Sequence, residues 1–286
     1  MRFAALAALP SLLPLGRRCA LLGVSRSGFY AWRRRPPSAR AQANQHLVAE
    51  IRRIHAEVDR SYGSPRMQPE LRARGLSCGR HRVARLMRAH GIRAKQARRF
   101  RVTTDSRHGF AIAPNRLGRV FAAAAPNRVW MSDVTYIPTG AGWCYLAVLV
   151  DAFSRRVVGW AVGTQLTAAL PRRALERALA DRRPAPGLLH HSDRGIQYAC
   201  TAYQQALAEH GIVSSMSRRG DCWDNAVVES FFGALKVERL HERRFFTAEQ
   251  VEAEVGDYIE RFYNRQRRHS TLGYVSPVVF ELRHVA

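Results

Sequence analysis

The feature that most constrains this chain is an acidic residue set in the middle of an apolar, β-branched run. Val129-Trp-Met-Ser-Asp-Val-Thr-Tyr-Ile137 alternates like a strand and is closed by Pro138-Thr-Gly140. A carboxylate inside such a strand is costly to bury unless something cationic meets it. Asp133 is therefore the first candidate ligand. Gly187-Leu-Leu-His190 reads as a short buried strand, which puts Asp193 just past its C-terminal end, where open α/β sheets hold their ligands. A helix capped by Asp221 and running to about Val237 is expected next, with Val228, Phe231 and Leu235 on its apolar face. On it, Glu229 shares a neighbouring stripe with Asn225, Phe232 and Lys236.

Asp133 and Asp193 are separated by 59 residues, and Asp193 and Glu229 by 35. Three hard oxygen donors, with no paired Cys or His spacing nearby, suit Mg²⁺ or Mn²⁺ better than zinc. Two such ions clamp an in-line attack at a phosphodiester. Many such triples can be drawn among 22 acidic residues, so spacing alone does not decide.

The surrounding words add to this. Val129–Ile137, Gly142-Trp-Cys-Tyr-Leu-Ala-Val-Leu-Val-Asp151, Phe153-Ser-Arg-Arg-Val-Val-Gly-Trp160, His190-His-Ser-Asp-Arg-Gly195, Ser215-Met-Ser-Arg-Arg-Gly-Asp-Cys-Trp-Asp-Asn225 and Glu229-Ser-Phe-Phe232 resemble the catalytic core of bacterial insertion-sequence transposases. The likeness runs from about Leu21 to Glu281 and points to the downstream-frame product of elements read in two overlapping frames. That group sits in the retroviral-integrase-like superfamily named for its Asp, Asp and Glu. The resemblance implies a ribonuclease-H-like α/β core with a mixed five-stranded sheet, preceded by small all-α helix-turn-helix modules. It implies Asp133, Asp193 and Glu229 as the catalytic set holding two Mg²⁺ ions, with Mn²⁺ as substitute. It also implies Asn225 and Lys236 as contacts to DNA ends. The reaction implied is cleavage at the element's ends followed by 3′-hydroxyl strand transfer. A hydrolytic nuclease of the same fold and a non-catalytic DNA-binding regulator are the alternatives.

Charge is the second constraint. The chain carries +24 over 286 residues, but residues 1–120 hold 26 Lys plus Arg against 5 Asp plus Glu, whereas 121–286 hold 20 against 17. The excess belongs to the first part of the chain and calls for an extended polyanion, here DNA as terminal inverted repeats and target. A partnerless solvated basic surface is the plain alternative. No lipidation signal accompanies a basic amphipathic helix, and no membrane partner is expected. The five cysteines are dispersed and unpaired in spacing, as in a reducing compartment. A cytoplasmic, nucleoid-associated protein follows.

The expected organisation is an uncertain apolar stretch at 1–18, a helix-turn-helix-like segment and basic linker at 19–38, and a three-helix DNA-binding module at 43–100. A basic linker at 101–124 leads to the core at 125–286. Residues 1–15 loosely imitate a signal peptide, yet a translated upstream stretch or disordered end fits them better. In Cys19–Trp32, Gly23 is placed in a turn, Ser25 caps the next helix, and Phe29, Tyr30 and Trp32 supply packing. Within the module, helices are expected at 45–58, at 66–74 after a Ser64 cap, and at 79–91. The last presents Arg80, Arg82, Arg85 and Arg88 to phosphates or a major groove.

Arg218 and Arg219 stand beside a glycine, Gly220, ahead of the Glu229 helix, as in a loop that closes on DNA or an ordinary basic turn. Asp151 is read as turn chemistry. His190 and His191 are read as support or core packing, and a basic run at 263–274 as a possible DNA contact. The family's working form is commonly a fusion with the upstream-frame product, and these transposases act as homo-oligomers on DNA. No leucine-rich heptad precedes Cys19 here, so the chain alone could be inactive or regulatory.

Overall fold

The computed structural model describes residues 2–8, 13–96, 110–119, 121–218 and 222–284. It divides into two compact units, Met1–Ile51 and Arg52–Ala286. The first holds α1 (Arg2–Ala8), α2 (Leu15–Leu21), α3 (Arg26–Arg34) and most of α4 (Ala39–Glu57). The N-terminal stretch, expected to be disordered or extraneous, is a helix whose Leu6 is fully buried. It closes an apolar cluster with Cys19 and Phe29 that its own residues 3 and 6 complete. Gly23 takes φ +59° in the turn and Ser25 Oγ accepts the Gly28 N–H at 3.0 Å, as expected of a helix-turn-helix. Helix α4 is longer than its apolar stripe implied, because Ala39 and Ala41 extend it to Ser38, whose Oγ accepts the Ala41 N–H.

In the second unit come α5 (Ser64–Ala73) and α6 (Arg80–Ala89). The cap of α5 is Gly63 rather than Ser64, and no side chain caps it; Pro65 enters at the first turn as its missing N–H allows. Met67 and Leu71 of α5 and Val83, Leu86 and Met87 of α6 are buried.

The sheet follows: β1 (Val129–Thr139), β2 (Gly142–Asp151), β3 (Val157–Gly163), α7 (Ala169–Arg182), β4 (Leu189–Ser192), α8 (Ile196–Ala199), α9 (Thr201–Glu209) and β5 (Val213–Met216). Its order is β3-β2-β1-β4-β5, with β1–β2 and β2–β3 antiparallel and β4 and β5 parallel to β1. Strand β4 lies two residues later than expected, because Gly187 takes φ +93° and pairing begins only at Leu189.

One face of the sheet, with Trp130, Ala147, Leu149 and Ala161, packs on α7, α8 and α9. Gly159 is needed there, since a Cβ would stand 2.2 Å from the Ala174 carbonyl of α7. The other face is crossed by α10 (Ala226–Leu235), which packs on β1 and β2 through Val228, Phe231 and Leu235.

After α10 the helix continues as a π-helical turn, Lys236–Leu240. Then come α11 (Ala248–Gly256), a second π-helical stretch (Asp257–Tyr263) and α12 (Pro277–His284). The expected tail stripe is there, with Val251, Val255, Tyr258 and Ile259 fully buried. Asp151 is the turn residue the sequence suggested. Its carboxylate accepts the N–H groups of Asn127, Phe153 and Ser154.

Candidate active site

The parallel register of β1 and β4 builds the site. Met131 pairs with His191 and Ser132 with Ser192, so Asp133 on β1 and Asp193, the residue just past the end of β4, follow the same last pair and the charge of one acts on the other. Neighbouring strands lie about 4.8 Å apart, which forces the two carboxylates into mutual repulsion. Each is held by a backbone donor: Val134 N–H to Asp133 Oδ1 at 2.8 Å, and Gly195 N–H to Asp193 Oδ1 at 2.9 Å. Burial pushes the Asp133 carboxyl well above the usual range. The charge of Asp193 adds to this and that of Glu229 adds less, while the Val134 N–H and Lys236 oppose it.

Glu229 enters from the opposite layer, in the first turn of α10, and is exposed. Desolvation raises its carboxyl too. Asp133 and Asp193 are thus assembled, and Glu229 belongs to the same electrostatic neighbourhood. Among the described residues, no three His, Cys, Asp or Glu side chains are gathered tightly enough to hold an ion. Lys236 begins the π-helical turn after α10; burial lowers its ammonium and Asp133 raises it. A π-helical turn shifts the facing of everything after it, and such turns are frequent at functional sites.

Behind the pair, the support is buried. Ser132 Oγ donates to the Val148 carbonyl and lies 2.9 Å from the Tyr198 hydroxyl. His191 lies between the Ser215 and Ser217 hydroxyls at 2.9 and 3.1 Å, and His190 Nε2 is 3.0 Å from the Tyr203 hydroxyl. Burial lowers His190 to about 3 and His191 to about 4, so both are neutral at physiological pH. That is the packing role expected of them.

The structure distributes the expected DNA contacts unevenly. Arg80, Arg85 and Arg88 are exposed on α6, and Arg82 is half-buried. Arg218 does not reach outward alone: its Nε and Nη2 donate to the buried Asp224 carboxylate at 3.1 and 2.9 Å. Arg219 and Asp221 lie outside the described residues. Asn225 is buried at 4% exposure, and its Nδ2 donates to the Ser132 carbonyl. It ties the start of α10 to β1 beside Asp133, at the end of the 3₁₀ turn Cys222–Asn225 that precedes the helix. The basic run at 263–274 is partly consumed as well, since Arg267 pairs with Glu238 and Arg268 with Glu70.

Sequence reading missed Asp224. It is fully buried yet ionised, held well below the usual carboxylate range first by the Arg218 side chain and then by the Arg218 N–H and Arg119. Asn115 Nδ2 also donates to it at 2.8 Å. The carboxylate pins the exit of β5 to the segment that launches α10. Its only signal in sequence was the word Asp221-Cys-Trp-Asp-Asn225.

Comparison with known proteins places the chain in a family. A model described as integrase core domain matches residues 123–222, a second integrase core model matches 210–277, and an HTH-like domain model matches 42–100. The chain is 42% identical over 270 residues, 94% of each chain, to transposase InsF for insertion sequence IS3A of Escherichia coli (strain K12). The chain belongs to the insertion-sequence transposases. A second relative, the insertion element IS600 uncharacterized 31 kDa protein of Shigella sonnei, is 45% identical over 266 residues, covering 93% of this transposase and 98% of the relative. Among solved structures, a simian T-cell lymphotropic virus intasome is similar at TM-score 0.48 and 18% identity, over 75% of this chain and 70% of that one. The transposase is accordingly a DNA-acting polynucleotidyl transferase with an integrase-type core and a helical region before it. No described helix is long and apolar enough to cross a membrane.

Proposed function

We propose that this transposase cuts the ends of its own element and joins the freed 3′-hydroxyl to a second DNA, using Asp133, Asp193 and Glu229. The observation that carries the reading is the β1–β4 register, which brings Asp133 and Asp193 to the same end of two paired strands, where the charge of Asp193 raises the Asp133 carboxyl. An all-oxygen donor set of this charge fits hard divalent cations. Bound to these carboxylates, a pair of Mg²⁺ ions, with Mn²⁺ as substitute, supplies the Lewis acidity that in-line displacement at a phosphodiester requires.

The chain's own groups prepare that chemistry. The Val134 and Gly195 N–H groups fix one oxygen of each aspartate. Asn225 fixes the start of α10 and so the azimuth of Glu229. Lys236 offers a cation to the phosphate of the strand being cut. In the first step water attacks phosphorus, the P–O3′ bond breaks and the 3′-hydroxyl departs. In the second that hydroxyl attacks a target phosphodiester, one P–O bond forms as another breaks, and no protein–DNA bond is needed. The arginine-rich helices hold the duplex, the working assembly is a homo-oligomer on DNA within the cytoplasm, and the upstream-frame product or a fusion with it completes the assembly.

A strand-transfer assay tests this with the purified chain, labelled duplex bearing the element's ends and Mg²⁺, with and without the upstream-frame product. Joined products that vanish with Glu229→Gln are expected. Nicked but unjoined DNA in both arms would replace the reading with a nuclease, and metal-independent binding without cleavage would replace it with a regulator.

A further inference from the structure

The matched family models begin at residue 42 and leave the first three helices without a role. Those helices form a built unit. Leu6, Cys19 and Phe29 are buried together, Phe3, Leu15, Leu22 and Val24 pack against them, and Phe3 stacks on Trp32 with ring centroids 5.9 Å apart. The turn between α2 and α3 is closed by the Val24 N–H to Cys19 carbonyl bond and by Gly23 in the left-handed region.

Packing consumes Phe29, the buried residue of α3, and leaves most of the rest of the helix open, Trp32 stacked on Phe3 yet still 37% exposed. Arg26, Ser27, Tyr30 and Arg33 follow one exposed stripe at helical spacing, and Tyr30 is 42% exposed. Before Glu50 the chain has eight arginines and no acidic residue, so α1, α2 and α3 themselves carry no carboxylate. An open cationic helix of this kind fits duplex DNA. In a helix-turn-helix the second helix enters the major groove and its N-terminal residues meet base edges.

The two exposed basic helices differ in chemistry. The open side of α6 is made of Arg80, His81, Arg85 and Arg88, chiefly forked cations matched to phosphates. The open side of α3 mixes a guanidinium, a small hydroxyl and an aromatic ring, a set able to distinguish base edges and thymine methyls.

We propose that α3 is the base-reading helix of this transposase, with Arg26, Ser27 and Tyr30 setting which duplex sequence is engaged, and that α6 supplies phosphate affinity. The proposal rests on the DNA-transposase reading, but equilibrium binding tests it without any joining reaction, so the two can fail separately.

The experiment uses the full chain to select from a pool of duplexes with randomised centres, then compares binding of the selected duplex and a shuffled one. Ser27→Ala and Tyr30→Ala are expected to lower the selected-to-shuffled ratio by roughly ten- to a hundred-fold while leaving shuffled-duplex affinity and its salt dependence unchanged. Arg85→Ala and Arg88→Ala are expected to weaken both duplexes together and keep the ratio. All four side chains are exposed, and matching thermal melts would show that the variants fold. The proposal is overturned if wild type binds both duplexes alike, if the α3 variants keep the ratio, or if the ratio collapses in the α6 variants instead.

Discussion

Two arginine-rich stretches of this transposase meet opposite fates. Along α6, Arg80, Arg85 and Arg88 stand in solvent. In the run at 265–268, by contrast, Arg267 is 5% exposed and grips both oxygens of Glu238 at 2.7 and 2.8 Å, while Arg268 donates to Glu70 at 2.6 Å and to the Tyr274 carbonyl. The difference lies in the acids that the fold delivers. Glu238 arrives on the π-helical turn, already bonded to the Tyr258 hydroxyl and faced by Arg66 of α5. The same residue type thus stands as a solvent-exposed cation on α6 and as a buried tie where the fold delivers a carboxylate.

The strongest way to break the comparison is to remove the acid. Glu238→Ala leaves Arg267 buried and unpaired, and a loss of about 3–5 kcal/mol in urea unfolding is expected. A loss under about 1 kcal/mol, the level of an exposed pair, would show that the buried tie has no special weight. The converse test is on α6. Arg85→Ala and Arg88→Ala should each change unfolding by no more than about 0.5 kcal/mol and lower the slope of log affinity against log salt by about one on DNA. A stability loss as large as that of Glu238→Ala would erase the distinction.

A smaller effect sharpens it at the far side of the core. Glu281 is buried; desolvation would raise its carboxyl, but Arg182, Ser154 and Arg156 outweigh this and hold it below its ordinary 4.5. A depressed folded value means stability that is present above 4.5 and lost as pH falls through the folded value. Denaturant melts at falling pH should show this loss, and Glu281→Gln should show a shallower one over the same acid window. An equal slope in both proteins would remove Glu281 from the account.

Much of the site was legible because its signals are local. Asp133 announced itself as a charge inside a β-branched strand, Asp193 as a polar residue past a short apolar one, and Asp151 as the head of a turn. Ser25 and Gly23 marked their helix-turn-helix by capping and turn chemistry alone. What could not be read depends on partners far away in sequence. Arg268 and Glu70 are 198 residues apart, and Arg119 and Asp224 are 105 apart. No window of sequence shows that Asn225 will be drawn under β1 to the Ser132 carbonyl, 93 residues earlier. The helix at Arg2–Ala8 escaped notice for the same reason, since its apolar residues make sense only against Phe29 and Trp32.

The central claim is that Asp133 and Asp193 are held together against their own repulsion for the sake of the reaction. The direct measurement is Asp133→Asn, followed by unfolding in chelator and by strand transfer in Mg²⁺. An amide keeps the bond from the Val134 N–H and removes one of the two facing charges. The account predicts a chain more stable than wild type in chelator that yields no joined DNA. Joining at the wild-type rate, or a chain less stable in chelator, would contradict it.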